Sequence, residues 1–189
     1  MGAPSTSQLF QSIAVPPAFA SENNSGDAGK SVGSLLGNSA SDGAYGYRTY
    51  TPDPKTEPYE VGILARTIFA EAGSGPGGQE AVGWAIRNRV DADADKGFDN
   101  DDTYQDAILR KGQFAAVGGS RWKLFADPAS MSPGDFAMYK KALTVAKEVY
   151  YGLTPDPTGG ATFFRAKRKG ETIGDGFLER GGNVFWPCK

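Results

Sequence analysis

Two apolar-periodic segments joined by a glycine-rich loop constrain this chain more than any other feature. Between Pro58 and Ala72, residues Val61, Leu64, Ala65, Ile68 and Ala72 recur at spacings of three and four, the mark of an amphipathic helix. The run Gly73, Gly75, Pro76, Gly77 and Gly78 then stops it, because glycine and proline end helices. A second helix is expected over Gln79 to Val90, burying Val82, Ala85, Ile86 and Val90, with Arg87 and Arg89 facing elsewhere. So short a loop forces a helical hairpin. Glu71, three residues beyond Ile68 and seven beyond Leu64, falls on the edge of the first buried face, and the hairpin is expected to bring Gln79 back towards it.

Further helices are expected at Tyr104 to Arg110 and at Pro133 to Tyr151, where Phe136, Tyr139, Ala142, Leu143, Ala146, Val149 and Tyr150 form a stripe closed by Gly152. Ala161 to Arg165 and Asn183 to Trp186 read as short strands, each preceded by turn residues: Asp156-Pro157-Thr158-Gly159-Gly160 and Gly181-Gly182. This makes a predominantly helical α+β domain over residues 55–189 with a small C-terminal β element. Residues 1–54 differ: they are rich in Gly, Ser, Ala, Asn and Pro, with Leu9, Phe10, Ile13, Val15, Phe19, Leu35, Leu36 and three tyrosines scattered without period. They read as an extended, irregular, low-complexity arm.

Several chemistries are excluded by what the chain lacks. It contains no histidine and a single cysteine, Cys188, so serine triads, Cys–His enzymes and the usual zinc amidases have no imidazole to work with. A formal net charge of -2 argues against nucleic acid, which needs concentrated Lys and Arg; Arg165 to Lys169 is too short a run to change that. No stretch approaches a membrane span. Leu9 to Ala20 lacks a basic start and carries Gln11, Ser12 and two prolines, so it does not read as a signal peptide.

Carboxylate chemistry remains. Glu71 is expected near the negative end of a helix dipole and beside Ile68 and Phe69, and both surroundings favour its protonated form. Such a group can protonate a glycosidic oxygen; a glutamate that only accepts loop amides is the plainer alternative. Asp91, Asp93 and Asp95 alternate as in a calcium loop, but an EF-hand wants glycine at its sixth position and glutamate at its twelfth, where this chain has Lys96 and Asp102. A solvated acidic loop is the better reading, and no cofactor is expected. Gln113 beside Phe114 suits sugar hydroxyl and N-acetyl groups, and Thr158, Gly159 and Gly160 offer backbone donors near Phe163 and Phe164. One of those two phenylalanines should face the core, since strand neighbours point to opposite sides.

Together these residues resemble the catalytic domain of cell wall hydrolases of the spore cortex-lytic SleB type. The matching pieces are Leu64 to Ala72, Gly78 to Gly83, Asn88-Arg89-Val90, Gly112-Gln113-Phe114, Asp156 to Ala161 and Phe185-Trp186, in the family's order. The resemblance implies a lysozyme-like fold acting on the glycan strands of bacterial peptidoglycan, with Glu71 at the position of the catalytic acid; Gln79, Gln113, Phe114, Thr158, Gly159, Gly160, Phe163 and Asn183 are the residues expected to line the substrate. It implies lytic transglycosylation of the muramidase-type bond, which one carboxyl group can perform.

The chain departs from the family near its end. Where a histidine is common in a Gly-x-His-x-Phe-Tyr pattern, this chain reads Gly181-Gly182-Asn183-Val184-Phe185-Trp186, and Asn183 cannot titrate. Two other classes stay open: a structural or glycan-binding protein that keeps the fold without turnover, and an N-acetylmuramoyl-L-alanine amidase, which the missing histidines disfavour. A low-complexity arm without an export signal fits a phage particle whose structural proteins hold residues 1–54; secretion to the bacterial cell wall is the alternative setting.

Overall fold

A computed structural model describes residues 55–72, 75–92, 97–98 and 100–188. The expected arm at residues 1–54 lies outside the described residues, as do Gly73, Asp93 and Asp95. The element order is α1 (Glu57–Glu71), α2 (Gly78–Val90), α3 (Tyr104–Leu109), α4 (Ser120–Leu124), a 3-10 turn (Pro128–Ser130), α5 (Pro133–Tyr151), β1 (Phe163–Ala166), β2 (Leu178–Arg180) and β3 (Asn183–Trp186). The domain is therefore α+β and predominantly helical, with one small sheet near the C-terminal end.

α1 begins with a proline in its first turn and with Glu57 and Glu60 near its positive end, both favourable placements. It is more deeply buried than the sequence pattern indicates. Ile63 and Phe69, off the expected apolar face, are as inaccessible as Leu64 and Ile68. α1 is the central helix, packed by α2, α3, α4 and α5, and a helix apolar on most of its circumference belongs in the middle of a domain. Gly83 lets α2 come close: a Cβ there would stand 3.0 Å from Ile68 Cδ1 and 3.1 Å from Val149 Cγ2.

α5 is well delimited. The Ser132 hydroxyl accepts the Asp135 amide (3.1 Å) at its start, and Gly152 in the left-handed region (φ 65°) ends it, with Leu153 N–H returning to the Glu148 carbonyl (2.8 Å). These are a serine N-cap and a glycine C-terminal stop. Phe136, expected in the buried stripe, is 41% exposed, and Val145 is buried in the stripe instead.

The sheet has the order β1-β3-β2, antiparallel throughout. β2 and β3 are joined by Gly181-Gly182, both at positive φ (56° and 84°), the pairing that suits a tight two-residue hairpin. β1 runs from Phe163 to Ala166 rather than from Ala161, because the Ala161 carbonyl is taken by the Asn88 side chain. β2, three residues long and preceded by Gly174 and Gly176, gives no alternating pattern to read. No helix among the described residues is long and apolar enough to cross a membrane.

Candidate active site around Glu71

Glu71 is the last residue of α1 and is half-buried. Its Oε1 accepts the backbone N–H of Ala116 at 2.8 Å. Burial raises its pKa above the ordinary 4.5, and the Ala116 amide, which favours the carboxylate, opposes the rise. Among the described residues this donor comes from the irregular 113–117 segment. On the same side of α1, Arg121 donates to the Phe69 carbonyl from Nε (3.2 Å) and Nη2 (3.0 Å) and lies over the Phe69 ring. A cation on a last-turn carbonyl offsets part of the helix-end potential, so burial rather than the dipole carries the shift.

The 113–117 segment is held from α2. Arg89, 4% exposed, donates from Nε to the Thr162 carbonyl (2.6 Å) and from Nη1 to Gln113 Oε1. Its guanidinium sits 5.5, 5.2 and 5.1 Å from the ring centroids of Phe98, Phe114 and Phe163, within cation–π range. Burial pulls its pKa down to about 10, with Asp101 working against burial and Arg110 with it, so it is still charged at neutral pH. Arg87 is buried too: it donates to the Tyr150 carbonyl (3.1 Å) at the end of α5 and pairs with Asp91 (3.1 Å). The expectation that both arginines face away from the packed side is thus corrected. Each is buried because it satisfies backbone carbonyls that no water reaches.

The expected substrate residues fall into three groups. Gln113, Phe114 and Phe163 gather around Arg89, with Phe114 packed on Phe164 (5.9 Å between centroids) and Phe163 stacked on Trp186 (5.9 Å). Phe164 is the one directed to the core, against Phe185. Thr158, Gly159 and Gly160 form a closed turn around Asp156. Its Oδ1 accepts the Thr158 N–H (2.7 Å) and hydroxyl (2.6 Å), while Oδ2 accepts the Gly160 N–H (2.7 Å) and Asn88 Nδ2 (3.0 Å). Thr158 is buried, and the Gly160 donor is consumed inside the turn; Gly159 is the exposed member. Gln79 and Asn183 form the third group. Gln79, buried, donates Nε2 to the Met138 carbonyl (3.0 Å) and leaves Oε1 without a partner; Asn183, buried, leaves Nδ2 without one.

Glycines bring these last two elements close. A Cβ on Gly181 would lie 2.3 Å from Gly78 Cα, and one on Gly75 would lie 2.8 Å from Gly181 Cα. The loop after Glu71 thus packs backbone to backbone on the β2–β3 turn, with Gln79 and Asn183 each within two residues of that contact. Asn88, Arg89, Ala116, Arg121 and Asp156 have structural tasks that the sequence reading did not assign. The run Arg87-Asn88-Arg89, polar in the middle of an apolar-periodic helix, is the signal that could have exposed three of the interactions. For Ala116, whose contribution is a backbone amide, there is no side-chain signal at all.

Of the aspartates considered for calcium, Asp91 is paired with Arg87, and Asp93 and Asp95 lie outside the described residues. Among the described residues no group of three or more acidic, cysteine or histidine side chains is arranged to hold a metal.

A buried-edge carboxyl group on a central helix, flanked by loops bearing amide and aromatic side chains, defines a candidate acid catalyst. A family model described as Cell Wall Hydrolase matches residues 73–182, more than half of the chain, and the chain belongs to this family. It is accordingly an enzyme acting on peptidoglycan. The matched stretch opens just after Glu71 and closes just before Asn183. No curated protein and no solved structure matches the chain.

Proposed function

We propose that the protein cleaves the glycan strands of peptidoglycan by lytic transglycosylation, with Glu71 as the one acid and base. The observation that carries this reading is the placement of Glu71, half-buried at the end of the central helix with Oε1 on the Ala116 amide at 2.8 Å. A retaining or inverting hydrolase uses two carboxyl groups, whereas transglycosylation asks one group to give a proton and then take one.

The Ala116 hydrogen bond distinguishes the two oxygens of the carboxyl. Oε1 accepts an N–H and serves as the carbonyl-like oxygen, so the acidic proton belongs on Oε2. In the first step Oε2 donates it to the oxygen linking N-acetylmuramic acid to N-acetylglucosamine, and the bond to the muramoyl anomeric carbon breaks with the electron pair leaving on that oxygen. Glu71 is then a carboxylate, stabilised by the Ala116 amide. It removes the proton of the muramoyl C6 hydroxyl, whose oxygen attacks the anomeric carbon and closes a 1,6-anhydro ring. The enzyme ends protonated, as it began. In this reading Gln79 and Asn183, beside the glycine contact of the Glu71 loop with the β2–β3 turn, Gln113, Phe114, Gly159 and Phe163 are the residues that face the substrate, and Thr158 and Gly160 support them from inside their turn.

Digestion of purified sacculi followed by mass spectrometry tests the proposal. Anhydro-muropeptides are expected. Reducing ends would make the enzyme a hydrolase, free stem peptides an amidase, and sacculi left intact by a folded protein would favour glycan binding without turnover. For its setting we propose a phage particle, with residues 1–54 attached to structural proteins, over secretion to the cell wall; recovery of the chain from purified particles is the check.

A further inference from the structure

If Glu71 is the catalytic acid, the Ala116 amide that donates to it must be held in place. Ala116 belongs to no helix or strand. Its segment is a succession of single turns, Gln113 N–H to the Arg110 carbonyl (3.2 Å), Val117 N–H to the Phe114 carbonyl (3.3 Å) and Gly119 N–H to the Ala116 carbonyl (2.9 Å). Such a segment has little rigidity of its own. Two of its side chains, however, are gripped from α2. Gln113 gives its carbonyl oxygen to Arg89, and the Phe114 ring, 7% exposed, lies between the Arg89 guanidinium and Phe164. Arg89 is anchored in turn by the Thr162 carbonyl at the head of β1.

We propose that Arg89 is a positioning residue for Glu71: by holding Gln113 and seating Phe114 it fixes the 113–117 segment, so that the Ala116 amide stays on the catalytic carboxyl group. This rests on the proposed role of Glu71 and goes beyond it. It gives Gln113 a task other than touching sugar, since its acceptor oxygen is committed inside the protein. It also explains why a cation is buried here: a planar fork with several donors can hold a carbonyl and an amide at once, and a lysine cannot reproduce that. Arg121, which grips the Phe69 carbonyl in the same last turn, faces Asp135 at 3.5 Å.

The test uses the full chain, 15N-labelled, with the Ala116 amide proton as reporter. In the wild type that proton is expected to move downfield as Glu71 ionises, because a carboxylate is the stronger acceptor; Glu71→Gln should abolish the movement and identify its source. Arg89→Lys and Gln113→Leu should each largely remove it, lower kcat about ten-fold and leave KM within about two-fold, as expected when a catalytic group loses its orientation. The double variant should do no more than either single one. Gln113 is half-buried, so Gln113→Leu remains informative if Arg89→Lys does not fold. An unchanged amide response in Gln113→Leu, or a rise in KM with kcat intact, overturns the proposal and makes Gln113 a sugar contact. Sacculus cleavage that survives Glu71→Gln overturns the role of Glu71 while the amide response still judges the role of Arg89.

Discussion

The two ends of α1 each carry a glutamate withdrawn from solvent, Glu60 fully and Glu71 by half, and they are received very differently. Glu60, in the first turn, is 4% exposed, and its Oε2 accepts the Tyr104 N–H at 2.8 Å; the Gln105 amide next along also favours its carboxylate. These are the first amides of α3, so Glu60 caps a neighbouring helix. Glu71, in the last turn, has one amide from an irregular segment and one oxygen left over. Burial raises both pKa values. The difference lies in the partner: regular structure consumes one carboxyl group, and a loop leaves the other with an edge available for chemistry. A raised pKa by itself therefore does not mark the catalytic residue.

The largest effects should separate the two ends outright. Glu71→Gln keeps the acceptor for Ala116 and removes the acid, so turnover of sacculi should fall by about three orders of magnitude with little change in thermal midpoint. Glu60→Ala strands the first amides of α3, and it should cost about 2–3 kcal/mol of stability while the folded fraction turns over normally. Denaturant unfolding and initial rates measured on both variants check the pair. If Glu60→Ala abolished turnover in folded protein, the contrast between the ends would be lost.

The glycine contact at the Glu71 end comes next. Gly181 has φ 56°, and a Cβ there would meet Gly78 Cα at 2.3 Å, a backbone clash that neither side can relieve by turning a rotamer. Gly181→Ala should cost about 2–4 kcal/mol. Because the contact holds the loop that follows Glu71, the variant should also lose turnover at temperatures where it is still folded. Asn88→Ala should cost about 2 kcal/mol, since it removes a donor to Asp156 (3.0 Å) and the Ala161 carbonyl (3.0 Å). Its loss of turnover should be smaller, because its partners Asp156, Thr158 and Ala161 include neither Glu71 nor Ala116.

Much of this was legible in the sequence, for identifiable reasons. α1, α2, α3 and α5 follow apolar periodicity with strong stop residues, and they fall within a residue or two of the pattern. The place of Glu71 at the end of α1 follows from its edge position. What the sequence did not disclose depends on backbone groups and on long-range packing. Ile63 and Phe69 look like the exposed side of α1 until four helices surround it. Arg87 and Arg89 look like surface charges until the carbonyls of Val149, Tyr150 and Thr162 need donors. Ala116 contributes an N–H that every residue but proline possesses. Thr158 reads as a turn residue facing a ligand, whereas its hydroxyl closes on Asp156.

The smallest effect sharpens the comparison most. A carboxyl group whose folded pKa is raised binds its proton more tightly in the folded state. Its contribution to stability is complete below the unfolded value of about 4.5 and is lost as pH rises through the folded value. Replacing the group with glutamine deletes that loss. Relative to the wild type, Glu71→Gln should therefore gain stability as pH rises from the unfolded value through the raised folded one, whatever its offset at low pH, and Glu60→Gln should move in the same direction. The turnover of the wild type should decline over the same rise in pH, because the form that is lost from Glu71 is the form that donates. Urea midpoints of the three proteins at several pH values, set beside the rate profile, make the check. If the Glu71→Gln stability curve runs parallel to that of the wild type, Glu71 titrates at an ordinary value, and burial at the end of α1 does not prepare it as an acid.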